Sequence, residues 1–197
     1  MARTPQTRKE ETHDRIVAVA SRALRRNGYA GVGVADVMRE AGLTHGGFYA
    51  HFASREALLA EALERAGHDS LAAVEQAVQA RRSRRASPFR ALVEAYLGEE
   101  HLHATDSGCP VAALGGEMPR QAPELRDASA RRVQGLIRLV EQALPPGRQS
   151  AAPVIAASLV GTLQVARALG GSEALSLLAA SRKALLQQHD TPPASAG

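Results

Sequence analysis

Residues 34–52, VADVMREAGLTHGGFYAHF, leave a chain of this kind few choices. Val34, Val37, Met38 and Ala41 recur at helical spacing, and Gly42 then interrupts the pattern with a residue free to take positive φ at a helix C-terminus. Thr44 can cap a second short helix through its hydroxyl, with Leu43 before the cap and Phe48 after it spaced as a hydrophobic staple. Two short helices joined by a tight glycine-containing turn predict a helix-turn-helix, a motif whose second helix offers its N-terminal half to the DNA major groove. His45, Gly46 and Gly47 occupy that half.

The periodicity elsewhere is helical too, and no segment reads as a strand. Residues 1–6 are expected to form a mobile arm, and Thr7 with Glu10 a capping box opening a first helix whose face carries Ile16, Ala20 and Leu24. Gly28 supplies its stop. Ser54 caps a long helix reaching about Gln79, in which Gly67 marks either a bend or a close contact. The charge run and Ser-Pro pair of ARRSRRASP, residues 80–88, read as a solvated loop. Ser87 and Pro88 open a helix carrying Phe89, Leu92, Val93, Tyr96 and Leu97, and HLHATDSGCP follows as an irregular connector. Pro110 starts a short helix through about Met118, Pro123 a longer one, and two last helices flank Gly170 and Gly171. Residues 191–197 should be a loose tail.

The order GLTHGGFYAHFASREALL, with a helix before it and a longer one after it, resembles the DNA-binding signature of the TetR family of bacterial repressors. The resemblance covers the first third of the chain closely; beyond it, the match is only a helical body of the expected length. It implies an all-α protein: a three-helix DNA-binding head at 1–53, a connecting helix and loop at 54–86, an effector-binding and dimerisation domain at 87–190, and the tail. It also implies a homodimeric repressor that binds a palindromic operator in double-stranded DNA and is released by a small-molecule effector, with no cofactor and no catalytic residues. The family usually carries hydroxyl residues before its second helix, where Val32 and Gly33 stand here; one phosphate contact is thereby lost.

Within the motif, His45 is the candidate for base edges, and Gly46 and Gly47, poor helix formers, suggest a backbone that something approaches closely. Thr44 can combine capping with a phosphate contact, and Tyr49 can offer its phenol to phosphate. His51 and Arg55 sit where relatives also touch the DNA backbone, His51 being equally readable as a packing residue at the helix end. Phe48 and Phe52 belong to the core.

Composition bounds the partners. The 197 residues, 45% of them hydrophobic, suffice for a real core, and a net charge of +4 favours a polyanion only through placement of the basic residues. The N-terminus lacks a signal-type apolar stretch and no apolar run reaches the roughly 20 residues of a membrane span, so the expected setting is the cytoplasm, with no membrane partner. The last two helices, rich in Ala, Leu, Val and Ser, carry too many apolar faces for solvent; the resemblance implies that this pair meets its twin in the dimer, the alternative being packing inside one chain.

Cys109, the single cysteine, lies between Gly108 and Pro110, where a helix N-terminus would favour a thiolate. It reads as an electrophile or oxidant sensor or as a small apolar plug; the competing function is a thiol-dependent enzyme or scavenger using it. His101 and His103 with Cys109 match no closed zinc pattern, so no metal site is assigned. Phe89, Tyr96, Leu114, Met118, Leu136 and Val140 are expected to surround an effector cavity, with Tyr96, His101 and His103 as polar anchors. With aromatics at 3% and no tryptophan, the effector is expected to be small or aliphatic.

Overall fold

Ile16, Ala20 and Leu24, spaced to share a helical face, are fully buried on helix α1 (Pro5–Asn27) of the computed structural model, which describes residues 5–82 and 86–190. Thr7 lies inside α1 rather than at its cap, so the expected capping box does not open the helix. The arm and tail expectations fall largely on residues 1–4 and 191–197, outside the described residues. Gly28, at φ 72°, ends α1, and its N–H donates to the Leu24 carbonyl at 3.0 Å.

Helix α2 (Val34–Glu40) and a six-residue 3-10 turn, His45–Ala50, form the helix-turn-helix. Helix α3 (Arg55–Arg82) opens on Ser54, whose Oγ accepts from the Ala57 N–H at 3.0 Å, and continues unbroken through Gly67. Leu58, Leu59 and Leu63 are buried, whereas Leu71 is 40% exposed. The rest of the basic loop, residues 83–85, is outside the described residues.

Helix α4 (Pro88–Tyr96) starts as its sequence demands, with Ser87 Oγ accepting from the Arg90 N–H at 3.0 Å and Pro88 in the first turn, where its missing donor costs nothing. The stretch expected to be irregular contains a short helix, α5 (Glu99–His103). Its cause is distant in sequence: the Arg167 guanidinium donates to the carbonyls of His101, Leu102 and Ala104. Helix α6 (Pro110–Leu114) is shorter than expected and a 3-10 turn, Met118–Arg120, follows it. Helix α7 (Pro123–Ala143), helix α8 (Ala152–Leu169) and helix α9 (Gly171–His189) complete the chain, with Gly170 and Gly171 at φ 69° and 51° making the last turn. No strand occurs among the described residues.

The helices gather into two compact units. One holds the helix-turn-helix and α3 to Asp69, together with Asp106–Ala130; the other holds Ser70–Thr105 and the chain from Arg131 onward. Residues 106–130, expected with the body at 87–190, therefore cluster with the head.

Contrary to the expectation that no apolar run is long enough, Gln149–Leu169 reaches 21 residues at a mean hydropathy of 1.4, enough by length and composition to cross a membrane. Only one face of it is covered within its unit. Ile155, Leu159, Leu163 and Ala166 are buried, while Val154, Val165 and Leu169 are 70%, 52% and 49% exposed.

Candidate nucleic-acid interface

Gly42, at φ 73°, makes the turn by letting two bonds close back onto α2: its own N–H to the Arg39 carbonyl at 3.0 Å and the Leu43 N–H to the Met38 carbonyl at 2.9 Å. These are the paired bonds of a Schellman termination, available to a residue with no Cβ penalty at positive φ. The chain leaves extended at Thr44, φ −81° and ψ 149°, and enters the 3-10 turn.

Thr44 stands at the cap position, yet its hydroxyl makes no cap bond; the Thr44 carbonyl instead accepts from Gly47 N–H at 3.1 Å. Two adjacent glycines give the segment little helical drive, so it winds as the tighter 3-10 form pinned by Phe48. Phe48 and Phe52 are buried and lie 5.5 Å apart, ring centroid to centroid, with the His13 ring of α1 stacked 4.5 Å from Phe52. That anchor leaves Thr44, His45, Gly46 and Tyr49 exposed together, Tyr49 at 74%, its ring set edge-on to Phe48.

A Cβ on Gly46 would meet nothing within 4 Å, and one on Gly47 would touch only Met38 Cε at an ordinary 3.6 Å. Packing inside the chain does not require either glycine.

His51 and Arg55 turn inward. The His51 ring lies 6.0 Å from that of His13, and its buried Nδ1 has no hydrogen-bond partner. Burial first, then the neighbouring His13 and Lys9, lowers its pKa. It sits at one end of an open pocket of about 300 Å³ that also takes in Lys9, Glu10, His13 and Asp14. Arg55, expected at the DNA backbone, donates through Nε to the Val32 carbonyl at 3.0 Å and through Nη2 to that of Tyr29. Its guanidinium therefore ties the start of α3 to the loop entering α2.

The residues expected to bind an effector divide between the two units. Phe89, Tyr96 and Val140 are buried in the second unit with half-buried Leu136 and His101, while His103 on the same unit is exposed. Cys109, Leu114 and Met118 are buried in the unit that holds the helix-turn-helix. His101 Nδ1 lies 2.7 Å from the Tyr96 carbonyl, which can only accept, so the neutral ring carries its proton on Nδ1 and leaves Nε2 as an acceptor. Burial, with Arg167 adding repulsion and the Tyr96 bond opposing, lowers the His101 pKa to about 4. Among the described residues no group of three or more His, Cys, Asp or Glu could hold a metal.

One functional candidate escaped the sequence. Arg25 is 6% exposed, and its Nη1 lies 3.2 to 3.5 Å from the carbonyls of Ala66, Ser107 and Gly108. Burial lowers its pKa, and Asp69 and Asp106 oppose that shift.

Comparison with known proteins decides what kind of molecule carries this turn. Residues 16–62, which contain the whole helix-turn-helix, match the family model described as bacterial regulatory proteins, tetR family. Residues 16–62 carry the signature of the TetR family of transcriptional regulators. Its similarity to the HTH-type transcriptional repressor NemR of Escherichia coli is 28% identity over 149 residues, covering 72% of this chain and 71% of NemR. In fold, a TetR transcriptional regulator from Chloroflexus aurantiacus superposes with a TM-score of 0.75 at 23% identity, over 93% of this chain and 98% of that one. The reduced form of E. coli NemR superposes at 0.74 and 23% identity, over 93% of this chain and 100% of its own. The proteins this chain resembles are transcriptional regulators and not enzymes, which speaks against the thiol-dependent enzyme considered for Cys109. The exposed face of Thr44, His45, Gly46 and Tyr49 lies within the matched segment.

Proposed function

We propose that this protein is a TetR-family regulator, a cytoplasmic homodimeric repressor that binds a palindromic operator in double-stranded DNA and is released from it by a small-molecule effector. The observation that carries the reading is the exposed face of the 3-10 turn, held out by buried Phe48 and lined by Thr44, His45, Gly46 and Tyr49. His45 reads base edges; Gly46 and Gly47 let the backbone come close; Thr44 and Tyr49 contact phosphates. Arg55 and His51 act behind this face, Arg55 through its bonds to the loop before α2. With so few side chains, DNA shape supplies part of the specificity. Repression is favoured over activation by the similarity to NemR, itself named a repressor.

Dimerisation uses the uncovered stripe of α8, where Val154, Val165 and Leu169 alternate with Ser158 and Gly161. A Cβ on Gly161 would meet nothing within 4 Å, which leaves room for a second helix to approach. This occupant, rather than a bilayer, accounts for the apolar length of the helix. Val165→Asp should shift the molecular mass in sedimentation toward that of one chain and weaken operator binding; a variant that sediments as the wild type would remove α8 from the interface.

The effector side is assigned to Phe89, Tyr96, Leu136 and Val140 with His101, suited to a small, largely apolar molecule. Cys109, 5% exposed at the cap of α6, is the second point of entry, through modification of its thiol. An effector releases DNA only by binding the released conformation better than the bound one.

The test is binding to DNA flanking the protein's own gene across a salt series, before and after alkylation, with Cys109→Ser as control. Affinity should fall steeply with salt. Tyr49→Phe should weaken all sequences by a similar factor, while His45→Ala should change which sequence is preferred; the reverse pattern would overturn the assignment of the two residues. Release of wild type but not Cys109→Ser by alkylation makes the thiol a trigger, and an unchanged affinity assigns release to the reversible effector. Failure to bind any DNA specifically would refute the repressor reading.

A further inference from the structure

The chain passes between the two units at three places, 69/70, 105/106 and 130/131. The C-terminal end of α1 is bonded beside each of them. The Arg25 guanidinium donates to the carbonyl of Ala66, three residues before the first passage, and to those of Ser107 and Gly108, immediately after the second. The Tyr29 hydroxyl lies 3.3 Å from Ser129 Oγ, next to the third, and Ser129 Oγ is itself bonded to the Leu125 carbonyl. Glu117 completes the group: its carboxylate accepts from the Tyr29 N–H at 3.0 Å and lies against Gly28, where a Cβ would come within 2.4 Å of Glu117 Oε1.

This arrangement is costly unless something needs it. A buried guanidinium bonded to neutral carbonyls, with Nε left unpartnered, carries a desolvation cost that an apolar side chain would not. It does, however, fix two stretches of backbone that are remote in sequence, at Ala66 and at Ser107 and Gly108, against one helix end. Tyr29 also carries the Arg55 bond that positions the loop entering α2, so the same end of α1 is tied forward to the DNA-reading turn.

We propose that Arg25 and Tyr29 are positioning residues through which the conformation of residues 106–130 sets that of the helix-turn-helix. The proposal rests on the regulator reading above and names the residues that carry release within the first unit. Because coupling is reciprocal, DNA bound at the turn must tighten residues 106–130 as much as a change in those residues loosens the turn.

The experiment is amide hydrogen exchange of the full chain, free and saturated with a duplex selected from random sequence by the wild-type protein. Wild type should exchange more slowly on DNA by about 5-fold or more at both 34–52 and 106–130. Arg25→Met, which removes the cation but keeps most of its volume, and Tyr29→Phe, which removes only the hydroxyl, should keep the DNA-dependent slowing at 34–52 and lose it at 106–130. A purely structural defect would instead raise exchange at 106–130 with and without DNA alike, leaving the ratio intact, and that outcome overturns the proposal. So does a wild-type protein that binds DNA without slowing 106–130, in which case the DNA-binding reading still stands. If wild type selects no duplex, both readings fall together. Should Arg25→Met not fold, Tyr29→Phe decides alone.

Discussion

Replacing Phe48 with alanine should destabilise the unit containing the helix-turn-helix by about 3 to 5 kcal/mol, the range for emptying a buried aromatic site. Phe48 is 2% exposed, stacks toward Phe52 and supports the ring of Tyr49 edge-on. Two glycines precede it, so no neighbouring side chain in the turn can fill the space, and the 3-10 segment has little intrinsic helical preference to fall back on. DNA binding should be lost together with stability. Denaturant unfolding of Phe48→Ala beside Tyr49→Phe gives the comparison, because Tyr49 is 74% exposed and its hydroxyl should not matter to folding. Equal midpoints for the two variants would mean that the turn is held by something other than Phe48.

Acid should weaken the second unit through His101. Its pKa falls from 6.5 to about 4 on folding, because burial opposes the charged ring. The folded protein thus resists a proton that the unfolded chain accepts, so the contribution is fully present above pH 6.5 and lost progressively as the pH drops toward 4. A gap of that size corresponds to about 3 kcal/mol. Burial lowers His51 and His189 as well, so they act in the same direction. His101→Asn keeps a donor for the Tyr96 carbonyl and removes the titration. Its stability, measured by thermal unfolding between pH 7 and 4.5, should decline less than that of wild type; parallel curves would show that the ring's burial does not govern acid sensitivity.

What could be read from the sequence was local. Gly42 ends α2, Ser54 and Ser87 cap their helices, Pro88 and Pro123 open theirs, and Gly170 with Gly171 makes the last turn, because each outcome depends on a backbone preference within one helical turn. The exposed part of the candidate interface belongs to the same class: Thr44, His45, Gly46 and Tyr49 follow once the position of Phe48 is known. What escaped depends on partners far along the chain. Helix α5 exists where Arg167 gathers three carbonyls more than 60 residues away. Arg55 bonds the carbonyls of Tyr29 and Val32, and Arg25 was found beneath residues 107 and 108. An arginine's reach exceeds anything its neighbours in sequence disclose. Thr44 failed for another reason: the spacing for a hydroxyl cap is present, but the 3-10 turn is closed by the Thr44 carbonyl instead.

Gly46 has a consequence for how such a regulator can change over generations. A side chain introduced there would extend into open space on the exposed face and touch nothing of the core beneath. Its cost to folding would be small, since glycine is itself the least helix-favouring residue short of proline. Selection can therefore write new letters at this position while the scaffold that presents them stays as it is. Descendants that diverge in the sites they recognise need not diverge in how they fold.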